Sequence, residues 1–148
     1  MAAAVTTVAM TGWATAAGAA IAPRVWDQAM PKGNTLNAGD SIHAVLVGDR
    51  DAHFELKMQS DGNLVFRSYL NNGQNYVCWS IGAKGSGARA VYQNDGNFVV
   101  YVGNAAKWAS DTAGKGGNSV SIDYSDTWYP GTDLWVGDTR INRGCRVP

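Results

Sequence analysis

Charge is scarce in this chain of 148 residues: Asp, Glu, Lys and Arg make up 16% of it and cancel to a formal net charge of zero. Without a basic stripe there is no electrostatic footprint for nucleic acid or an anionic membrane surface, and neither is expected as a partner. Histidine is as sparse. His43 and His53 are the only two, neither adjoins a candidate nucleophile, and they have no His-x-x-x-His spacing, which removes the common zinc-hydrolase arrangement. The aspartates of Gly48-Asp49-Arg50-Asp51 lack the spacing and closing glutamate of a calcium loop. No metal and no cofactor are therefore expected. Helical patterning is also in short supply, whereas eighteen glycines and six tryptophans are present, a balance that points to one all-β domain with many turns.

What is present is a repeat. Gln59-Ser60-Asp61-Gly62-Asn63-Leu64-Val65-Phe66-Arg67 returns as Gln93-Asn94-Asp95-Gly96-Asn97-Phe98-Val99-Val100-Tyr101. Read as strands, with side chains alternating between faces, the second copy places Gln93, Asp95, Asn97, Val99 and Tyr101 on one face, and the first places Gln59, Asp61, Asn63 and Val65 there. Leu64, Phe66, Phe98 and Val100 then face a core. A carboxylate, two carboxamides and a phenol can together satisfy several hydroxyls, and valine offers a surface for sugar C–H groups. Asp-Gly-Asn alone reads as a turn, but a turn does not explain why Gln and Val recur at the same offsets.

The pattern Gln-x-Asp-x-Asn-x-Val-x-Tyr resembles the binding motif of the bulb-type mannose-specific lectins, known from monocot plants and also from bacteria and fungi. The copy at Gln93 matches at five positions. The copy at Gln59 matches at four, with Arg67 in place of tyrosine, where the guanidinium either replaces the phenol contact or blocks the pocket. The resemblance implies a β-prism II: three four-stranded antiparallel subdomains about a pseudo-threefold axis. It also implies mannose recognition without a metal. Asp95 and Asn97 would hold the hydroxyl that separates mannose from glucose, Gln93 and Tyr101 would bind neighbouring hydroxyls, and Val99 would pack on the ring.

Cys78-Trp79, Trp108 and Trp135 recur at intervals of 29 and 27 residues. Three small sheets that cover one another around aromatic anchors would place these tryptophans on the axis. The third repeat has lost the sugar motif, with Ser119 to Gly131 carrying no Gln-x-Asp-x-Asn; Val120, Ile122 and Tyr124 still alternate, and Asp123, Tyr124, Trp128 and Tyr129 offer a different contact. Residues 34–148 form the expected lectin-like domain, with 23–33 as a linker. Residues 1–22 are alanine-rich and uncharged, and read either as a signal-like segment or as a retained N-terminal arm. Cys78 and Cys145, the only pair, are expected to form a disulfide in a secreted, extracellular chain; the resembling family more often keeps its bridge inside one subdomain. The tail from Arg140 to Val147 either closes its own sheet or, as in members of that family, is exchanged with a neighbouring subunit, so a homodimer stays open.

No enzyme activity is expected. Asp61 and Asp95 occupy equivalent positions in different repeats, which separates them too far to flank one glycosidic bond. The sequence thus reads as a non-catalytic lectin for mannose or mannosylated glycans. The alternative is a lectin-fold adaptor in a secreted bacterial assembly such as a toxin particle, binding a protein partner through the N-terminal arm.

Overall fold

The computed structural model describes residues 21–46, 51–126 and 131–148. The expectations for residues 1–20, for the turn at 48–50, and for Trp128 and Tyr129 lie outside them. The described residues form strands and turns and no helix. The glycine-rich turns break the chain into short runs rich in Val, Ile, Leu and aromatic residues, each of which pairs with its neighbour.

Three antiparallel meanders result. The first comprises β4 (Ser41–Leu46), β5 (Ala52–Met58), β6 (Leu64–Leu70) and β7 (Asn75–Ser80). The second comprises β8 (Ala88–Tyr92), β9 (Phe98–Val102) and β10 (Ala105–Ala109). The third comprises β11 (Ser119–Tyr124), β12 (Gly131–Val136) and β13 (Thr139–Arg146). Three short strands precede them and are dealt out one to each sheet: β1 (Val25–Asp27) runs parallel to β4, β2 (Ala29–Pro31) pairs with β11, and β3 (Thr35–Leu36) pairs with β8. The first sheet therefore has five strands, one of them parallel, and the other two have four.

Residues 23–33, expected as a linker, are thus part of the sheets. An unpaired sheet edge exposes a row of backbone donors and acceptors, and strands of two or three residues pair along one side of each meander. Segments that short cannot display a period of two, so the sequence pattern could not reveal them.

The three sheets bury their inner faces against one another. Phe54, Leu56 and Phe66 from the first, Leu36, Tyr92, Phe98 and Val100 from the second, and Met30, Val120, Ile122, Leu134 and Val136 from the third form one cluster in which each is at most 1% exposed. Trp79 and Trp108 pack against it and meet edge to face, with centroids 5.5 Å apart, as expected of axial aromatics. Trp135 does not join them. It sits on β12, opposite Ser121, and carries the Arg140 guanidinium 4.7 Å above its ring. The strand register explains the departure: Trp79 pairs with Phe66 and Trp108 with Val100, but the residue paired with the matching Leu134 is Asn142. Val120 and Ile122 are buried, whereas Tyr124, at the end of the same strand, is 64% exposed.

Cys78 of β7 and Cys145 of β13 are joined by a disulfide, as the sequence predicts, and it ties the first sheet to the third. Asn142 Nδ2 donates to Cys78 O at 3.4 Å and Ser68 Oγ to Arg146 O at 2.5 Å across the same seam. The C-terminal strand closes its own sheet on β12. Closing a loop with a sequence separation of 67 residues restricts the unfolded chain by about 4 kcal/mol. The Cys78→Ser/Cys145→Ser variant is expected to lose about that much stability in urea denaturation; a loss below about 1 kcal/mol would show that the noncovalent seam alone holds the sheets.

The outer face of the first sheet carries both histidines. His53 Nε2 lies 2.8 Å from Asn71 Oδ1, which can only accept, so that nitrogen bears the proton and His53 Nδ1 accepts from His43 Nε2 at 3.1 Å. Tyr69 stacks on His53 at 4.9 Å. Among the described residues no group of three or more potential metal ligands occurs. Burial first, and then the charge of His53, lower the pKa of His43 below 6.5, against the opposing pull of Glu55 and Asp27. Because the unfolded chain then binds the proton more readily than the folded one, stability rises with pH through this window and is lost as pH falls below about 6.5. Urea midpoints at pH 7.5 and 5 should therefore diverge in the parent and converge in His43→Gln; an unchanged divergence would assign the effect to other groups.

Candidate carbohydrate-binding site

Both motif copies begin in a hairpin turn and end on the strand that leaves it. Gln93 N–H donates to Asn97 O at 2.9 Å and Gly96 N–H to Gln93 O at 2.9 Å, between β8 and β9; Gln59, Gly62 and Asn63 repeat this at 2.9 and 3.1 Å between β5 and β6. In each turn the aspartate caps the chain two residues on. Asp95 Oδ1 accepts from Asn97 N at 2.8 Å, and Asp61 Oδ1 from Asn63 N at 2.9 Å, the local bond that makes Asp a turn residue. Gly62 has φ +81°, and a Cβ there would lie 2.4 Å from Gly85 O, so only glycine fits. The alternating-strand placement of Gln93, Asp95 and Asn97, and of Gln59, Asp61 and Asn63, is therefore corrected: these residues stand in turns, where the chain reverses. Val99 and Tyr101, and Val65 and Arg67, do lie on strands.

At the second copy the groups interlock. Gln93 Nε2 donates to Tyr101 Oη at 2.5 Å, and the Arg89 guanidinium lies 5.2 Å over the Tyr101 ring. Asn97 Oδ1 accepts from Ser110 Oγ and from Thr112 N, both at 3.2 Å. Among the described residues nothing takes Gln93 Oε1, Asp95 Oδ2, Asn97 Nδ2 or the Tyr101 proton. Two acceptors and two donors remain on one turn and its strand, the complement that vicinal hydroxyls require. Val99 is only 4% exposed, so it underlies the site and offers a sugar ring little of the platform expected of it.

The first copy is built differently. Val65 is likewise 4% exposed. Arg67 Nε and Nη2 donate to Glu55 Oε2 at 2.9 and 2.7 Å, which directs the guanidinium to β5. Unlike Tyr101 with Gln93, it makes no hydrogen bond to Gln59 among the described residues. Asn63 Oδ1 is buried without a hydrogen-bond partner. An open groove lined by Ala38, Gly39, Lys57, Gln59, Ser60 and Asp61 adjoins this turn. A more enclosed hollow of about 140 Å³ lies between the first and third sheets, lined in part by Asp27, Val45, Phe54, Ile122 and Tyr124; it contains no motif residue.

In the third sheet the repeat continues in register. Trp135 lies thirty-four positions after Tyr101, as Tyr101 does after Arg67, and pairs with Ser121 as Tyr101 pairs with Arg89 and Arg67 with Glu55. Trp135 thus holds the tyrosine position of the lost site, which sequence spacing had read as an axial position. The valine position holds Asp133, 1% exposed, which accepts from Gly144 N at 2.7 Å and faces Arg140 Nε at 3.4 Å. Asp123 accepts from Ser121 Oγ at 2.8 Å. A charged network occupies the face that carries the Gln93–Tyr101 motif in the second repeat.

No protein-family model and no curated protein matches the chain. Solved structures do. A monomeric monocot mannose-binding lectin from Gastrodia elata is 29% identical, with a TM-score of 0.52, over 77% of this chain and 91% of that one. The mannose-specific bulb lectin of bluebell, Scilla campanulata, is 29% identical with a TM-score of 0.52, over 76% and 92%. The mannose-specific agglutinin of snowdrop, Galanthus nivalis, complexed with methyl-α-D-mannoside, is 28% identical with a TM-score of 0.50, over 76% and 93%. Lectins bind sugars without converting them, in keeping with the absence of catalytic chemistry expected from the sequence. With its three sheets around one apolar core and mannose-binding lectins among its structural neighbours, the chain has the β-prism II fold of the bulb-type lectins.

Proposed function

We propose that this protein is a non-catalytic lectin that recognises mannose or mannose-containing glycans through the repeat around Gln93. The observation that carries this reading is the set of uncommitted groups at that turn: two acceptors, Gln93 Oε1 and Asp95 Oδ2, beside two donors, Asn97 Nδ2 and Tyr101 Oη, each on a side chain already fixed by another bond. Pre-fixed side chains spare the ligand the cost of ordering them. The mannose specificity named for the bluebell and snowdrop neighbours supports the choice of sugar. The disulfide between sheets supports a secreted, oxidising setting.

A single open site of this kind holds a monosaccharide on the order of 1 mM, or about 4 kcal/mol; tighter binding needs several sites on one polymer. Titration calorimetry with methyl α-mannoside and a mannotriose is expected to give saturating heat for the parent. Asn97→Ala should abolish it, and Asn63→Ala should leave it unchanged. Absence of heat from the folded parent would overturn the assignment.

A further inference from the structure

We propose that Ser110 and Thr112 are the positioning residues that turn the Asn97 carboxamide so that Nδ2 faces the ligand, and that the upstream repeat is silent because it lacks both. The inference rests on the lectin reading of the Gln93 turn and adds to it residues outside the motif.

Three contacts carry it. The Thr112 backbone N–H, which can only donate, meets the Asn97 side chain at 3.2 Å, so the atom facing it is Oδ1 and the amide nitrogen takes the opposite side. The Thr112 hydroxyl donates to Gly96 O at 2.6 Å, fastening the loop to the turn so that this N–H reaches its target; Thr112 is 1% exposed. Ser110 Oγ accepts from Phe98 N at 3.0 Å, and its one proton is shared between Asn97 Oδ1 at 3.2 Å and Thr112 Oγ1 at 2.7 Å. The two hydroxyls thus join the turn, the first residue of β9 and the loop after β10.

The upstream repeat supplies the comparison inside the same molecule. Gly85 N–H donates to Asp61 O as Gly114 N–H does to Asp95 O, and Ile81 N–H to Leu64 O as Ser110 N–H does to Phe98 O. This register sets Ile81 at the position of Ser110 and Ala83 at that of Thr112. Both hydroxyls are missing, and the Asn63 Oδ1 that they would meet is the buried oxygen without a partner. The backbone tether is kept and the lock on the carboxamide is absent, so the upstream asparagine has no fixed presentation of its donor.

The test reads the carboxamides directly. Side-chain 15N relaxation of the ligand-free parent should give Asn97 an order parameter near that of rigid backbone, about 0.8, and Asn63 one below about 0.6. Ser110→Ala/Thr112→Val should lower the Asn97 value to that of Asn63 and weaken methyl α-mannoside binding at least tenfold, with the backbone spectrum elsewhere unchanged. Thr112→Ser, which keeps the hydroxyl, should restore both. Equal order at the two asparagines in the parent, or an Asn97 that stays rigid in the double variant, would overturn the inference. If the parent binds no mannoside, the lectin reading fails, and the order parameters still decide whether the lock exists.

Discussion

A sheet of three or four short strands cannot bury its apolar face alone, and the remaining structure follows from that constraint. Three such sheets must turn their inner faces to a common core, which leaves their outer faces and the hairpin turns at their ends to carry function. One side of each meander is paired by β1, β2 or β3, dealt one to each sheet within twelve residues, from Val25 to Leu36. Because one stretch of chain belongs to all three sheets, none can separate without disturbing the others. The disulfide from β7 to β13 adds a covalent tie between the first sheet and the third.

Within this frame the three repeats have diverged through their supporting residues as much as through the motif. The second keeps the five motif side chains and the hydroxyl pair behind Asn97. The first keeps the turn and its aspartate cap, but pairs Arg67 with Glu55 and leaves Asn63 Oδ1 unpartnered. The third replaces the site with buried Asp133, held by Gly144 N and Arg140. The same strand position holds a buried valine in the first two repeats and a buried, ion-paired aspartate in the third, without altering the sheet.

The all-β class, the three-sheet architecture and the cysteine pair were legible in the sequence, from the alternating strands and glycine-rich turns, from the recurring tryptophans together with the resemblance carried by the repeated motif, and from an even cysteine count. The turn geometry was less so: Asp-Gly-Asn favours a turn and Gln-x-Asp-x-Asn also alternates, and only the backbone bonds of Gln93 and Gly96 decide between them. Strands as short as β2 and β3 leave no periodic signal. Trp135 misled because its spacing from Trp108 nearly matches that of Trp108 from Trp79, whereas its strand register equates it with Tyr101. Ser110 and Thr112 were visible in Trp108-Ala109-Ser110-Asp111-Thr112, but their bonds to the turn at Asn97 depend on a loop that returns from the far side of β10.

The proposed lectin carries one working sugar site in three repeats, at Gln93. A backbone amide titration of the intact protein with methyl α-mannoside, followed by 15N–1H correlation spectra, tests it most directly. Progressive shifts confined to Gln93–Tyr101 and the adjoining Ser110–Thr112 are expected, with Gln59–Arg67 unmoved. Shifts centred on Gln59–Arg67, or none at Gln93–Tyr101 at ten times the expected millimolar dissociation constant, would contradict it.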